Sequence, residues 1–396
     1  MKILIYDDVE GFRGKVREHI EGLPFMRDAF EIETPDERAL KDSMMTLEDR
    51  RRKFRKTGTW DGERVALDDV SVFVVDFDLF EAVPFLNGET VAYLARCFSS
   101  CGLIVGYRYG DNSFDLTLRG VLREELGSFT DLYVGGTQLG NPGLWEVTGA
   151  AESEFRPWHW PVLPDYLRDF EKKVEGVKES LDVPICQVLG LAFEMFDMLP
   201  RSISQFLGDK PSETTFRQFV TKSGNGLERR DVPKAVDMSE DALARVGAAR
   251  ISKWLERLVL PEQDILVDAP HLVSRYPSLM TDDVTNIETW NRAARLTSHE
   301  KLGLTTDLIE SFRLKKAHWL SRPVWFWDEL RECENILEVR EPWEIRRPNW
   351  VFCEDASQFY EEGYREFVAD VESPFARRFV KDFEGVDYRP KVRFSL

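Results

Sequence analysis

Two acidic groups stand out by where they fall. Asp7 and Asp8 follow directly on the apolar run 3–6, and Asp76 and Asp78 close a second apolar run, 72–75. Short apolar runs bounded by polar residues read as buried strands, so both groups stand where strands end. If the two strands are parallel neighbours, four carboxylates gather at one rim. Crowded carboxylates raise one another's proton affinity unless a cation joins them, and an all-oxygen set with room for water suits Mg²⁺. A carboxylate beside bound Mg²⁺ also serves as a nucleophile toward phosphoryl groups, giving an aspartyl phosphate. Helix capping explains one Asp after a strand. A pair after one strand and an Asp-x-Asp after another points to the metal.

The elements that must position these groups are legible as an alternation. Strand-like runs recur at 3–6, 30–32, 72–75, 103–107 and 132–134, and between them lie stretches of helical period. Phe12, Val16 and Ile20 share one helix face over 11–20; Val91, Leu94 and Phe98 share another over 90–98, and 116–126 reads as a third helix. The order strand, helix, strand, helix predicts a doubly wound parallel α/β sheet, whose ligands bind at the carboxyl ends of the strands.

Lys2-Ile-Leu-Ile-Tyr-Asp-Asp8-Val-Glu-Gly-Phe-Arg13 and Val74-Val-Asp76-Phe-Asp78-Leu79, with Asn87-Gly88 further on, resemble the receiver domain of bacterial response regulators over roughly residues 1–140. The resemblance implies a flavodoxin-like sheet, Asp7 and Asp8 as Mg²⁺ carboxylates, Asp76 as phosphoacceptor and metal ligand, and the backbone carbonyl of Asp78 as a further ligand. It also implies a histidine kinase or effector protein as partner. Two departures stand against a working switch. Receivers carry Ser or Thr at the end of strand four, where this chain has Gly106 or Tyr107, and Lys at the end of strand five, where it has Gly135. The Lys pairs with the bound phosphoryl group and the hydroxyl transmits its arrival, so their loss implies an atypical or pseudo-receiver. Arg108 is a candidate replacement cation.

The span from Asp8 to Asp76 exceeds what one strand-helix-strand connection needs, which predicts an insertion near 40–65. Six of the seven residues from Arg50 to Lys56 are basic, the one concentrated positive run in the chain. A solvated helix face next to Glu48 and Asp49 explains it; a docking surface for an acidic protein partner is the sharper alternative. Pro142, Pro157, Pro161 and Pro164 punctuate an aromatic stretch around His159, and 163–181 reads as an amphipathic helix. The expected domains are therefore 1–181 and 182–396. Beyond the boundary, 185–199 and 239–260 read as buried helices, the latter capped by Ser239, with strands near 323–328 and 349–355. The chain from Gln358 reads as helical and then extended through 391–396. The second domain is thus expected to be α+β or mainly helical.

Chemistry in that second half is thin. Asp264, Asp268 and His271 have ligand-type side chains at close spacing, but Pro270 interrupts the helix that would align them, so capping is preferred. Asp328 with Glu354 and Asp355 is a second weak group. Cys97, Cys101, Cys186, Cys333 and Cys353 are odd in number and scattered, reading as reduced thiols rather than a zinc site.

A net charge of −18 over 396 residues, spread along the whole chain, disfavours binding to nucleic acid or an anionic membrane. The amino-terminal run of four apolar residues is too short for a signal peptide or a span, which predicts a cytoplasmic protein. These readings converge on a signalling protein, more in keeping with a non-enzyme, whose receiver-like domain governs a carboxyl-terminal interaction or effector domain. Two alternatives are an enzyme or toxic effector of a bacterial stress or phage-defence system with its active site in the second half, and a transcription regulator, the latter disfavoured by the charge.

Overall fold

The computed structural model describes residues 1–23, 30–60, 62–79, 87–108, 128–145, 162–221 and 238–295 except 264 and 282. Beyond 295 it describes only 313–314, 319–320, 322–326, 330, 333–334, 336, 350–353, 356, 358–361, 367–368 and 378–381. The expected helix at 116–126, His159, Asp264, Asp328, Glu354, Asp355 and the segment 391–396 lie outside these residues.

Five apolar runs become strands: β1 (Lys2–Tyr6), β2 (Glu31–Glu33), β3 (Val72–Asp76), β4 (Leu103–Arg108) and β5 (Leu132–Gly135). They form one all-parallel sheet in the order β2-β1-β3-β4-β5. Near-continuous Val, Ile and Leu in β1, β3 and β4 suit strands covered on both faces, and these positions are almost all buried. Helices α1 (Glu10–Glu21), α2 (Glu37–Thr57) and α3 (Gly88–Phe98) flank the sheet, as in a doubly wound α/β fold. Strand order reverses between β1 and β3, and that is where such sheets open a crevice at their carboxyl ends.

Local signals set the helix ends. Asp36 caps α2 by accepting from Ala39 N at 2.8 Å, and Gly58, at φ 73°, closes it with its N–H on Phe54 O. Asn87 caps α3 through Thr90 N at 2.8 Å. On α1 only Val16 and Ile20 are buried; Phe12, expected on the same face, is exposed.

The stretch 40–65, expected as an insertion, is largely α2 itself, the crossover from β2 to β3. It also holds the whole basic run, and three of its cations are committed. Arg50 is buried and grips both oxygens of Asp68 at 3.0 and 2.7 Å and the carbonyls of Phe98 and Glu63 at 2.8 and 2.5 Å. Arg51 pairs with Glu48 at 2.5 Å, and Arg52 reaches Glu48 and Asp49 at 3.4 and 3.5 Å. Arg55 and Lys56 fall in the last turn, where the helix dipole favours positive charge.

The chain divides into two compact units, Met1–Gly149 with Val162–Lys253, and Ala150–Pro161 with Trp254–Leu396. Position 181, the expected boundary, falls within the first unit, between α4 (Leu163–Lys178) and the helix Ile185–Leu189. The single helix expected over 185–199 is two, Ile185–Leu189 and Phe193–Asp197. Gly190 breaks it at φ 76° with its N–H turned back onto Cys186 O and Gln187 O. Ser239 does cap α5 (Glu240–Trp254), its Oγ accepting from Ala242 N at 3.1 Å, and a π-helical turn, Leu255–Val259, follows.

In the second unit Val324–Trp325 pairs with Val267–Asp268, and Trp350–Cys353 is a strand as expected. Gln358–Glu361, expected to be helical, is instead a strand antiparallel to Trp350–Cys353. Register explains the correction: Phe352 faces Phe359 across the pair, their rings edge-on at 5.0 Å, and cross-strand aromatic packing outweighs local helix preference.

Candidate metal centre

Strand register builds the centre. β1 and β3 pair Tyr6 with Val75, so one step further along Asp7 stands level with Asp76. On the other side of β3, Asp76 pairs with Tyr107 of β4. One carboxylate oxygen each from Asp7, Asp8 and Asp76 lies within 4.8 Å of the others. Asp7 is 0% and Asp76 6% exposed, unlike the solvated acids common on protein surfaces.

Each buried carboxylate is held by hydrogen bonds. Asp7 Oδ1 accepts from Val9 N at 2.7 Å and Asp7 Oδ2 from the Tyr107 hydroxyl at 2.5 Å, while Arg13 Nη1 donates to the Asp7 carbonyl at 3.1 Å. Asp76 Oδ1 accepts from Asp78 N at 3.2 Å. The Asp78 carboxylate stays outside the converging group. It takes Arg108 in a two-point ion pair, Nε to Oδ2 at 2.6 Å and Nη2 to Oδ1 at 3.0 Å.

Electrostatics follow from burial. Burial pushes the Asp76 carboxyl up to about 7; the Asp78 N–H opposes this, and the charges of Asp7, Asp78 and Asp8 add to it. Burial also raises Asp7, against the pull of the Tyr107 and Val9 hydrogen bonds. Burial and the Asp7 carboxylate hold the Tyr107 phenol far above its ordinary range, so it remains the donor. Hard oxygen donors, three to a group and two of them buried, fit a small divalent cation that completes its shell with water.

The two positions at which a receiver carries its switch groups have other occupants. A Cβ on Gly106 would lie 2.1 Å from the Phe77 ring, which itself packs edge-on against Tyr133 at 5.3 Å. No hydroxyl fits there. Gly135, opposite Arg108 in the β4–β5 register, brings no cation to the end of β5. Gly88 is required for another reason: a Cβ there would meet the Asp76 carbonyl at 2.3 Å, so the Asn87-Gly88 pair lets α3 begin against the end of β3.

Other candidates resolve into structure. Asp268 accepts from His271 N at 3.2 Å and from Gln263 Nε2 at 3.0 Å, capping the helix Ala269–Arg275, and His271 Nε2 accepts from Arg275 Nε at 2.9 Å. Burial pushes both the Cys97 and Cys101 thiols up to about 12, which leaves them protonated. Sequence reasoning brought together Asp7, Asp8 and Asp76 and missed Tyr107 as the partner of Asp7. Its one signal was a bulky phenol at a strand end where a small hydroxyl was looked for. No protein-family model matches the chain, and no match was found among curated proteins or solved structures.

Proposed function

We propose that the first unit is a degenerate receiver-like module of a signalling protein, with Asp7, Asp8 and Asp76 holding a divalent cation, Mg²⁺ in the cell. The module governs an interaction or effector role carried by the second half of the chain. The observation that carries this reading is the convergence of the three carboxylates at the carboxyl ends of adjacent parallel strands, beside the reversal of strand order. The order of the sheet supports a flavodoxin-like topology. Asp78 offers the cation its backbone carbonyl, as the resemblance implies. Among the described residues no helix is long and apolar enough to cross a membrane.

The same geometry speaks for degeneracy. An aspartyl phosphate on Asp76 would meet no Lys from β5 and no hydroxyl from Gly106, so its charge would stay poorly balanced. Incubation with acetyl phosphate is therefore expected to leave Asp76 largely unmodified by intact mass. Near-stoichiometric phosphate that disappears in Asp76→Asn would replace this reading with that of an active receiver. Mg²⁺ at 100 times its dissociation constant should stabilise the fold by about 2.7 kcal/mol, because it binds only the folded rim. The Asp8→Ala, Asp76→Ala double variant should lose that rise in melting temperature. A wild-type melting curve unmoved by millimolar Mg²⁺ would remove the metal from the proposal.

A further inference from the structure

We propose that Tyr107 is the positioning residue of the acidic centre: by occupying Asp7 Oδ2 it holds Asp7 to a single-oxygen contact and selects a small, partly hydrated cation over Ca²⁺. The inference rests on the metal-site reading above and assigns that site its selectivity.

Ca²⁺ takes six to eight oxygens at about 2.3–2.6 Å, commonly with carboxylates bound through both oxygens, whereas Mg²⁺ takes six at about 2.0–2.1 Å and keeps several waters. The centre disfavours the two-oxygen mode. Asp7 has a donor on each oxygen, Val9 N on Oδ1 and Tyr107 on Oδ2, and these two bonds fix the rotation of the carboxylate. Asp76 has its Oδ1 engaged by Asp78 N. Each of these bonds takes one acceptor site of its carboxylate and fixes its rotation, which disfavours two-oxygen ligation by the two buried members and leaves water to complete the shell.

Tyr107 is suited to enforce this because it cannot swing away. It lies on β4, paired in register with Asp76, and is fully buried. Its hydroxyl reaches across from β4 to the residue after β1, tying Asp7 to the strand two places over in the sheet.

The test uses the full chain and two probes, Mn²⁺ followed by electron paramagnetic resonance and Ca²⁺ as its competitor. The wild type is expected to bind Mn²⁺ in preference to Ca²⁺, and Asp76→Asn to bind Mn²⁺ more weakly. In Tyr107→Phe the preference for Mn²⁺ over Ca²⁺ should fall by about tenfold, the scale on which groups that orient metal ligands act. A ratio of two affinities within one preparation does not change with the fraction folded, so a loss of stability alone cannot imitate the result. An unchanged ratio in Tyr107→Phe, with the wild type binding and Asp76→Asn impaired, overturns the role of Tyr107 and leaves the metal site standing. No Mn²⁺ binding by the wild type, or Asp76→Asn binding as tightly as the wild type, overturns the site and the role together.

Discussion

At the amino ends of β4 and β5, Arg96 and Asp131 form an ion pair with no exposure at all. Arg96 Nη1 also donates to Gly102 O at 2.9 Å, and Asp131 Oδ2 accepts from Ile104 N at 2.6 Å. Lys253 of α5 donates to Thr130 O close by, and ahead of β3 Asp68 sits in the grip of Arg50. At the carboxyl ends of the same sheet, Asp7 and Asp76 are as deeply buried, yet among the described residues neither carboxylate is paired with a cation. The contrast shows in two acids. Burial pushes Asp68 upward, but hydrogen bonds from Arg50, Val65 N and Ser100 N outweigh it and hold the carboxyl below its ordinary range. Among the described residues Asp76 has the Asp78 N–H to set against burial and three like charges, and it ends near 7. One end of the sheet spends its buried charge on holding strands and helices together. The other end keeps carboxylates in a state that a bound cation would relieve, which is the electrostatic mark of a site rather than of scaffolding.

Breaking the amino-end pair should have the largest effect. Arg96→Ala leaves Asp131 buried without its counter-charge, for an expected loss of about 3–5 kcal/mol in urea unfolding. Replacing both partners, Arg96→Met with Asp131→Leu, should recover much of that loss, since the desolvation cost leaves together with the attraction. If the double variant is as unstable as the single one, the pair contributes packing geometry and not charge balance, and the contrast with the acidic rim weakens.

Asp76→Asn should act with the opposite sign. In the metal-free protein the Asp76 carboxyl titrates near 7 when folded and near 3.8 when unfolded. Between those values the folded state holds the proton more tightly, so stability falls as pH rises through the window, and the cost is complete above pH 7. At 1.36 kcal/mol per unit the cost is about 4 kcal/mol. Asp76→Asn is accordingly expected to melt above the wild type at pH 8 in EDTA and to lose that advantage toward pH 4. A variant less stable than the wild type at pH 8 would mean that the Asp76 carboxylate is balanced by something other than a cation, and the two ends of the sheet would then differ less than described.

How much of this was legible in the sequence varied with the range of the forces involved. The strands were clear because Ile3, Val74 and Val105 lie in unbroken apolar runs, and burial on both faces leaves no other reading. Asp7, Asp8 and Asp76 were legible as a group because a parallel sheet brings strand ends together by rule. What escaped were choices decided across long separations. Nothing near Tyr107 in the chain announces a bond to a residue 100 positions away, and nothing near Gly106 announces the Phe77 ring above it. The basic run is a helix face beside Glu48 and Asp49, largely solvated as expected; Arg50 alone departs from that reading, since its role depends on Asp68 and on the carbonyl of Phe98. Gln358–Glu361 was misread because its pairing with Trp350–Cys353, not its local composition, makes it a strand.

The smallest effect on stability, and the sharpest test of where the acidic rim ends, belongs to Arg108 and Asp78. Their ion pair is two-point, as is that of Arg50 on Asp68, but both side chains are exposed, and exposed pairs contribute about 0–1 kcal/mol. Arg108→Gln should therefore leave the urea midpoint almost unmoved. It should still change the titration of the centre, because the charge of Asp78 already pushes Asp76 upward and would act on it without a compensating guanidinium. The expected result is a melting temperature whose fall with rising pH continues to a higher pH, and goes deeper, than in the wild type, with little change at pH 4. A large loss of stability at every pH would instead class Arg108 with Arg96 as a structural cation. It would also draw the boundary of the site inside Asp78, leaving Asp7, Asp8 and Asp76 as the whole of it.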